Sequence, residues 1–286
     1  MYKENSDKTN DLMELYVKKP FEKHKPTKSW NKYVLEKNNL YHRKTILDQG
    51  RADFRINHCE SNEDEGLSVT DMVILYKYCY FQFHYTSSLY IYELGKHELK
   101  PKITNQSIAF IDIGCGPYTS GIAFKEFCKE QKIKTNITYY GYDIAQAMLD
   151  SAKEIANYSN DTLFLSQNNF DSDYNNINNL DIKENFIIIN MCYFLAAETF
   201  KIDNFLDVIA KFTIQNNDKE IFIIYQNPKK EELNENWNKL KQKLTKFRTL
   251  RSNNGLLTVI FDDVVGNWWP RIRPDRPVYF DYLHNR

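Results

Sequence analysis

The sequence predicts an α/β fold in which a mostly parallel sheet ends in an antiparallel hairpin. From Ser107 onward, short apolar runs alternate with amphipathic stretches, as in sheets whose parallel strands are joined by crossover helices. Near the carboxyl end, two strand-like runs at 256–261 and 278–283 have only a loop between them, which favours antiparallel pairing. Such an ending is not expected of a nicotinamide dehydrogenase.

Seven strands are predicted, and most are joined by amphipathic helices. Besides the two terminal runs, the predicted strands are IAFIDI at 108–113, ITYYGYD at 137–143, TLFLS at 162–166, FIIIN at 186–190 and IFIIY at 221–225. These runs are short and rich in β-branched or aromatic residues, as strands are. The predicted helices between them are 120–132, 144–157, 198–212 and 231–243.

The first hundred residues have a helical character instead. Ser68 and Asp71 have the spacing of a capping box, and apolar residues then recur every three or four positions. The pattern continues toward Gly95, a residue type that commonly ends helices. The sequence therefore predicts an N-terminal helical segment over 1–102 and an α/β core over 103–286.

Composition argues against several classes of protein. The 286 residues include 38 Lys plus Arg and 38 Asp plus Glu, so no net charge attracts the chain to nucleic acid or anionic lipid. The five cysteines are scattered, which is typical of a reducing compartment and argues against a disulfide framework or a metal site. No signal peptide or membrane-spanning run is visible. We therefore predict a soluble, cytoplasmic protein without a metal ion or a membrane partner.

The loop after the first core strand, IDIGCGPYTSG at 111–121, departs from the dinucleotide-binding pattern. Gly114 and Gly116 allow a ligand to approach the backbone, but the third glycine of that pattern is replaced by Thr119. Asp112, just before the glycines, suits a ligand with a positive amino group and disfavours a phosphate.

A second acid, Asp143, ends the next strand, near the position at which doubly wound folds bind ribose hydroxyls. An acid for an ammonium group and an acid for a ribose suit S-adenosylmethionine. At these residues the sequence resembles the class I S-adenosylmethionine-dependent methyltransferases. The resemblance rests on FIDIGCGP at 110–117, YGYDIAQAMLDSAKE at 140–154 and the terminal hairpin, and covers roughly residues 103–286. It implies a Rossmann-like, seven-stranded sheet with S-adenosylmethionine as cofactor.

The resemblance also implies roles for single residues. Asp112 orients the methionine ammonium, directly or through water, and the backbone of Gly114, Cys115 and Gly116 lines the methionine part. Asp143 receives both ribose hydroxyls. The alternative is that the two acids only cap the helices that follow them.

Two further residues are implied to contact the adenine. Ile144 flanks the ring. Asn169, in an Asn-rich segment predicted to follow the third strand, takes the place of an aspartate that bonds the adenine amino group. The alternative is that this segment is a surface loop.

The methyl acceptor is expected beside the end of the fourth strand, because ligands bind outside the carboxyl ends of parallel strands. Asn190, Tyr193 and Glu198 are the candidates there, and Asn190 is also close enough to contact the cofactor. His84, on an aromatic-rich helix where the family often has a helical lid, is a candidate base. The alternative for Tyr193 and His84 is packing in the core. Asn190–Tyr193 replaces the Asn/Asp-Pro-Pro-aromatic motif of enzymes that methylate DNA bases, which disfavours that chemistry.

Two loops leave alternatives open. Asn227–Pro228 is a turn or part of the substrate rim. The segment NWWPRIRPDRP at 267–277 either binds a nucleotide base and its phosphates through its tryptophans and arginines, or packs on the lid.

The sequence thus predicts S-adenosylmethionine-dependent methyl transfer to a small molecule or a protein. An inactive methyltransferase-fold binding protein and an RNA methyltransferase are the alternatives; nucleic acid is the less favoured partner, and the sequence does not predict the oligomeric state.

Overall fold

A computed structural model describes residues 11–25, 27–31, 47, 52–57, 66–158, 166–195, 202–253, 257–260 and 275–285. The strands are β1 (Ser107–Ile113), β2 (Asn136–Tyr142), β3 (Ser166–Asp171), β4 (Phe186–Cys192), β5 (Glu220–Pro228), β6 (Arg248–Ser252), β7 (Leu257–Ile260) and β8 (Asp275–His284). The α-helices are α1 (Lys19–Lys23), α2 (Lys28–Trp30), α3 (Val69–Tyr76), α4 (Gln82–Leu94), α5 (Lys96–Ile103), α6 (Thr119–Glu130), α7 (Gln146–Tyr158), α8 (Ile202–Gln215) and α9 (Glu231–Lys243).

All the strands belong to one sheet, whose order is β3-β2-β1-β4-β5-β8-β6. β1 to β5 are parallel to their neighbours, whereas β8 runs antiparallel to β5. β6 pairs with the carboxyl-terminal part of β8 and β7 with its amino-terminal part, both antiparallel. The predicted Rossmann-like, mostly parallel sheet with an antiparallel carboxyl-terminal hairpin is confirmed.

Two strands differ from the prediction, and both lie at edges of the sheet. The third strand was predicted at 162–166, but β3 spans Ser166–Asp171, and 162–165 lie outside the described residues. β6 was not predicted at all. Edge strands expose much of their surface and are often polar, so SQNNFD and RTLRS lack the apolar pattern by which the central strands were found.

Helical structure continues without a break from α3 to α4. The predicted capping box is confirmed: the Ser68 hydroxyl accepts a hydrogen bond from the Asp71 N–H at 3.1 Å, and the Asp71 carboxylate accepts one from the Ser68 N–H at 2.9 Å. A π-helical turn, Lys77–Phe81, joins the two helices. Gly95 ends α4, as predicted. Within the described part of the chain, no helix is long and apolar enough to cross a membrane.

The two faces of the sheet are covered by different helices. α3, α4, α6 and α7 contribute to one core, together with apolar side chains such as Phe110 of β1. The other core contains α8 and α9, with Phe205 and Trp237 among its buried residues. The N-terminal segment therefore shares a core with the sheet, while its role as a separate lid region stays a prediction.

A close contact joins the N-terminal helices to β8. Gly95, between α4 and α5, lies so near Tyr282 that a Cβ on it would be 2.6 Å from the tyrosine Cζ. Tyr282 is fully buried, and its hydroxyl donates a hydrogen bond to the Ile91 carbonyl at 2.7 Å. No side chain larger than glycine fits here without displacing the ring.

We predict that Gly95→Ala lowers the free energy of unfolding by roughly 1–3 kcal/mol, the usual cost of overpacking a core. Urea unfolding measures the change. In a Tyr282→Leu background the cost of Gly95→Ala is expected to fall toward zero, since the ring is gone. If Gly95→Ala lowered the free energy of unfolding equally in both backgrounds, the contact between Gly95 and Tyr282 would not be what holds the N-terminal helices against β8.

Candidate cofactor-binding site

The glycine loop lies between β1 and α6 and is fixed by the neighbouring strand. Gly114 and Gly116 have positive φ angles of 69° and 49°, which side-chain-bearing residues rarely adopt. The N–H groups of Gly114 and Cys115 both donate to the Tyr142 carbonyl, at 2.8 and 3.0 Å. A Cβ on Gly114 would lie 2.6 Å from the Phe194 ring. The tight turn and the packing around it explain the first glycine.

Gly116 has a different environment. It is buried, yet apart from its chain neighbours no atom of the described residues lies within 4 Å of the position that a Cβ would take. An empty space beside a buried backbone is a recess. We call this space the Gly116 recess. The glycine loop borders it, and so does the Asp143 carboxylate, which accepts a hydrogen bond from the Gly116 N–H at 3.0 Å.

Asp143 makes a cap-like contact, one of the two roles that the sequence left open, while its binding of ribose hydroxyls stays a prediction. One carboxylate oxygen binds the Gly116 N–H, and the other accepts a hydrogen bond from the Ala145 N–H at 2.9 Å, as a helix cap does. A carboxylate has about four acceptor positions, so two remain for a ligand. Burial raises the pKa of Asp143 to about 6. Ile144 follows Asp143 in the chain and is 48% exposed, so it offers a large apolar surface next to this acid.

Asp112 is fully buried, and both of its oxygens are engaged. Oδ2 accepts a hydrogen bond from the Tyr139 hydroxyl at 2.7 Å, and Oδ1 accepts one from the Asn190 amide at 2.8 Å. Burial raises the pKa of Asp112 to about 6, although both hydrogen bonds favour the charged form. The acid holds β2 and β4 to β1 through side chains.

The Asp112 network extends to the N-terminal helices. The oxygen of the Asn190 amide accepts a hydrogen bond from the Tyr92 hydroxyl of α4 at 3.1 Å. Asn190 and Tyr92 are both buried. The sequence analysis identified Asp112 and Asn190 but missed Tyr92 and Tyr139. A tyrosine in an apolar run does not reveal that its hydroxyl bonds a buried polar group.

Gly121, the glycine that stands two positions beyond its expected place, serves packing. A Cβ on it would be 2.3 Å from the Tyr118 ring and 2.7 Å from the Tyr139 ring. Tyr118, the residue just before α6, has a φ of 70°, is fully buried and donates a hydrogen bond to the Asn168 side chain at 3.2 Å. Because Gly121 has no side chain, the Tyr118 ring can pack between α6 and β2.

The predicted position of the segment Ser166–Phe170 is wrong. These residues form β3 rather than following it, so Asn169 lies within the strand and pairs with Tyr140. Asp171 is the last residue of β3, and its oxygens accept hydrogen bonds from the Asp173 N–H and the Asn176 amide. An adenine contact by Asn169 stays a prediction. The residue at the carboxyl end of β3 is Asp171, which the sequence analysis did not identify because it misplaced this strand.

His84 and Tyr193 lie together at the ends of α4 and β4. Their rings are stacked, with centroids 4.2 Å apart and an angle of 14° between planes. Tyr193 has a φ of 58°, and its hydroxyl donates a hydrogen bond to Ser87 at 3.4 Å. His84 is buried, and its Nδ1 lies 3.1 Å from the Tyr76 hydroxyl. The two residues that the sequence singled out are thus neighbours, with Tyr76 as a third member.

A second polar cluster lies at the ends of β4 and β5. The Gln226 amide donates to the Ser88 hydroxyl at 2.5 Å and to the Cys192 sulfur at 2.6 Å. Burial raises the pKa of the Cys192 thiol to about 12, so it stays protonated. Gln226 is buried, and its Oε1 has no hydrogen-bond partner within the described residues.

Asn227–Pro228 is not a turn, since both residues belong to β5. Asn227 is fully buried and donates a hydrogen bond to the Leu233 carbonyl of α9, so it does not form an open rim. Glu198 lies outside the described residues, and so do positions 267–274 and the side chains of 275–277.

Known proteins resemble this chain in fold only. No model of a protein family and no curated protein matches it. Similar solved structures include an arsenic(III) S-adenosylmethionine methyltransferase from Chlamydomonas reinhardtii, at 13% identity and a TM-score of 0.36. SMU.1697c from Streptococcus mutans, solved with SAH, has 12% identity and a TM-score of 0.41, and NSun6 from Pyrococcus horikoshii, solved with SFG, has 10% and 0.40.

The mostly parallel sheet with an antiparallel hairpin at its carboxyl end is the arrangement that the sequence resemblance implied, whereas the position of β8 between β5 and β6 was not predicted. The chain has a Rossmann-like fold with a mostly parallel sheet. The match to the Chlamydomonas reinhardtii structure covers 64% of this chain and 64% of that chain. The match to SMU.1697c covers 67% of this chain and 96% of that one, and the match to NSun6 covers 70% and 51%. So distant a likeness gives no residue of this chain a role.

We predict that Tyr139→Phe destabilises the fold by about 1–3 kcal/mol at pH 8, because a charged, buried Asp112 loses a donor. At pH 5, below the pKa of about 6, Asp112 is protonated and the loss is expected to be smaller. Urea unfolding at the two pH values measures the difference. Tyr140→Phe, on the next residue of β2, is the control. A pH-independent loss would rule out the charged hydrogen bond as the cause.

Proposed function

We propose that the chain binds S-adenosylmethionine in the Gly116 recess and transfers its methyl group. The recess itself carries this proposal: within the described part of the chain, a buried glycine has no atom near its Cβ position, and the Asp143 carboxylate is bonded to its N–H. A bare backbone admits a ligand closely, and a carboxylate with free acceptor positions suits neighbouring hydroxyls. A phosphate would be repelled by the same carboxylate.

The proposed cofactor contacts follow from position. Asp143 has acceptor positions left for two ribose hydroxyls, and exposed Ile144 offers an apolar surface to the adenine. The backbone of Gly114–Gly116 lines the methionine part. We propose Asp171, rather than Asn169, at the adenine edge, because it stands at the carboxyl end of β3.

Asp112 and Asn190 are proposed as positioning residues. Asp112 is fully buried with both oxygens bonded, and both ends of the Asn190 amide are bonded as well. They act on the site by fixing β1, β2 and β4, whose ends carry the recess. Each Asp112 oxygen has a second acceptor position, but the side chain is fully buried, so the methionine ammonium would have to enter the core to reach it directly.

When bound, the cofactor supplies a methyl group attached to a positively charged sulfur. A nucleophile of the acceptor attacks the methyl carbon in line with the carbon–sulfur bond, and the sulfur leaves. This chain's part is to place the acceptor at the ends of β4 and β5. Among the described residues, the buried Gln226 Oε1 has no hydrogen-bond partner there, so it can accept a bond from a donor on the acceptor molecule. We propose that Gln226 and Tyr193 orient the acceptor and that His84 is the candidate base.

We propose a small molecule or a protein as the acceptor. The zero net charge of the chain gives no general attraction to RNA. Formation of SAH from S-adenosylmethionine in the presence of fractionated cell extract separates a methyltransferase from an inactive binding protein of the same fold.

We predict that Asp143→Asn weakens S-adenosylmethionine binding by about 10- to 100-fold, since hydrogen bonds to a charged group contribute roughly 1.5–3 kcal/mol. Gly116→Ala is expected to weaken it about tenfold or more, because the methyl group enters the recess. Titration calorimetry measures both. Asp150→Asn, at an exposed position of α7, is the control. Unchanged affinity in both site variants would place the cofactor elsewhere.

The affinity for S-adenosylmethionine is expected to depend on pH. Burial raises the pKa of Asp143 to about 6, so the carboxylate that accepts ribose hydroxyls is charged above this value and protonates below it. Affinity should stay level above about pH 7 and fall as the pH drops through about 6. Calorimetry between pH 5 and 8 tests this, and the fall should be shallower in Asp143→Asn. A flat profile for the unmodified chain would contradict it.

A further inference from the structure

We propose that Tyr76, backed by His84 and Tyr193, forms an aromatic roof over the Gly116 recess and binds the positive sulfonium of S-adenosylmethionine. The inference rests on the proposed function and adds a contact from the N-terminal helices, which the sequence resemblance did not assign. It predicts that the chain distinguishes the charged cofactor from its neutral product.

One end of the roof lies at the carboxyl end of β2. Tyr76, the last residue of α3, packs with Phe54 against a small buried cluster formed by Val73, Ala145 and Met148. Ala145 is two residues after Asp143, the acid that borders the recess. Tyr76 is therefore beside the ribose end of the proposed site.

The other end lies at the carboxyl end of β4. The Tyr76 hydroxyl is 3.1 Å from the Nδ1 of His84, and the His84 ring is stacked on Tyr193, which directly follows β4. In the sheet, β1 lies between β2 and β4. A side-chain array that reaches from the end of β2 to the end of β4 must pass the end of β1, where the glycine loop lies.

The electrostatics agree with this placement. Burial raises the pKa of Tyr76, and the nearby Cys192 and Asp143 raise it further, so its side chain is a neutral phenol. Asp143 follows β2 and Cys192 ends β4, so the Tyr76 side chain interacts electrostatically with groups on both sides of the recess. The face of a tyrosine ring carries negative potential and attracts cations. A sulfonium loses its positive charge when its methyl group leaves, so the attraction ends with the transfer.

Core packing alone would give a different result from a cation contact. If Tyr76 only fills space, its loss weakens the binding of charged and neutral cofactor alike. If its ring faces the sulfonium, the loss is confined to the charged form. The two ligands S-adenosylmethionine and SAH differ in this charge, which makes their affinity ratio the decisive quantity.

The test measures both affinities by titration calorimetry for the unmodified chain, Tyr76→Phe, Tyr76→Leu and Tyr76→Met. We expect Tyr76→Leu to lose roughly 5- to 30-fold in affinity for S-adenosylmethionine, the range of a desolvated cation–π contact, and less than about twofold for SAH. Tyr76→Phe should keep the ratio, since its ring remains. Tyr76→Met serves if the leucine variant does not fold, because methionine fills more of the space. It should change the ratio of the affinities for S-adenosylmethionine and SAH in the same way as Tyr76→Leu.

Tyr90→Leu, a partly buried tyrosine further along α4, is the matched control and should leave the ratio unchanged. Equal losses for both ligands in Tyr76→Leu and Tyr76→Met, or no loss for either, would overturn the inference while leaving cofactor binding intact. Failure of the unmodified chain to bind either ligand would instead overturn the proposed function.

Discussion

The buried carboxylate of Asp112 is the interaction on which the candidate site depends. It sits at the centre of three adjacent strands, where Tyr139 of β2 and Asn190 of β4 both donate to it, and Tyr92 of α4 bonds Asn190 in turn. A buried charge without donors is very costly. The network therefore fixes the relative positions of the strand ends that carry the glycine loop, Asp143 and Tyr193.

The same network makes the N-terminal helices part of the site. Through Tyr92, α4 is tied to the strand that bears Asn190, and through Gly95 and Tyr282 its end is seated on β8. His84 lies on α4, and Tyr76, the last residue of α3, is joined to α4 by the π-helical turn and bonded to His84, so these contacts help to position both residues. We propose that the strand ends form the floor of the recess and that the helices preceding the sheet in the sequence cover it. On this account, a change in α4 alters cofactor affinity without touching the glycine loop.

Some of this could be predicted from the sequence, and the reason differs by element. The central strands are continuous apolar runs because they are buried on both faces, so the β1 loop and Asp143 were placed correctly. β3 was misplaced because edge strands are polar, and the error carried Asn169 into the position that Asp171 occupies. The engagement of Asp112 depends on two tyrosines and an amide brought together only by folding, so no local pattern contains it. The π-helical turn at Lys77–Phe81 has no sequence mark either.

The most direct test of the central claim is a crystal structure of the chain grown with SAH. The account predicts SAH in the Gly116 recess, with its ribose hydroxyls within about 3.2 Å of the Asp143 carboxylate and with the Asp112, Tyr139 and Asn190 bonds retained. SAH bound elsewhere on the chain, or a recess closed by side chains while SAH is bound, would contradict it.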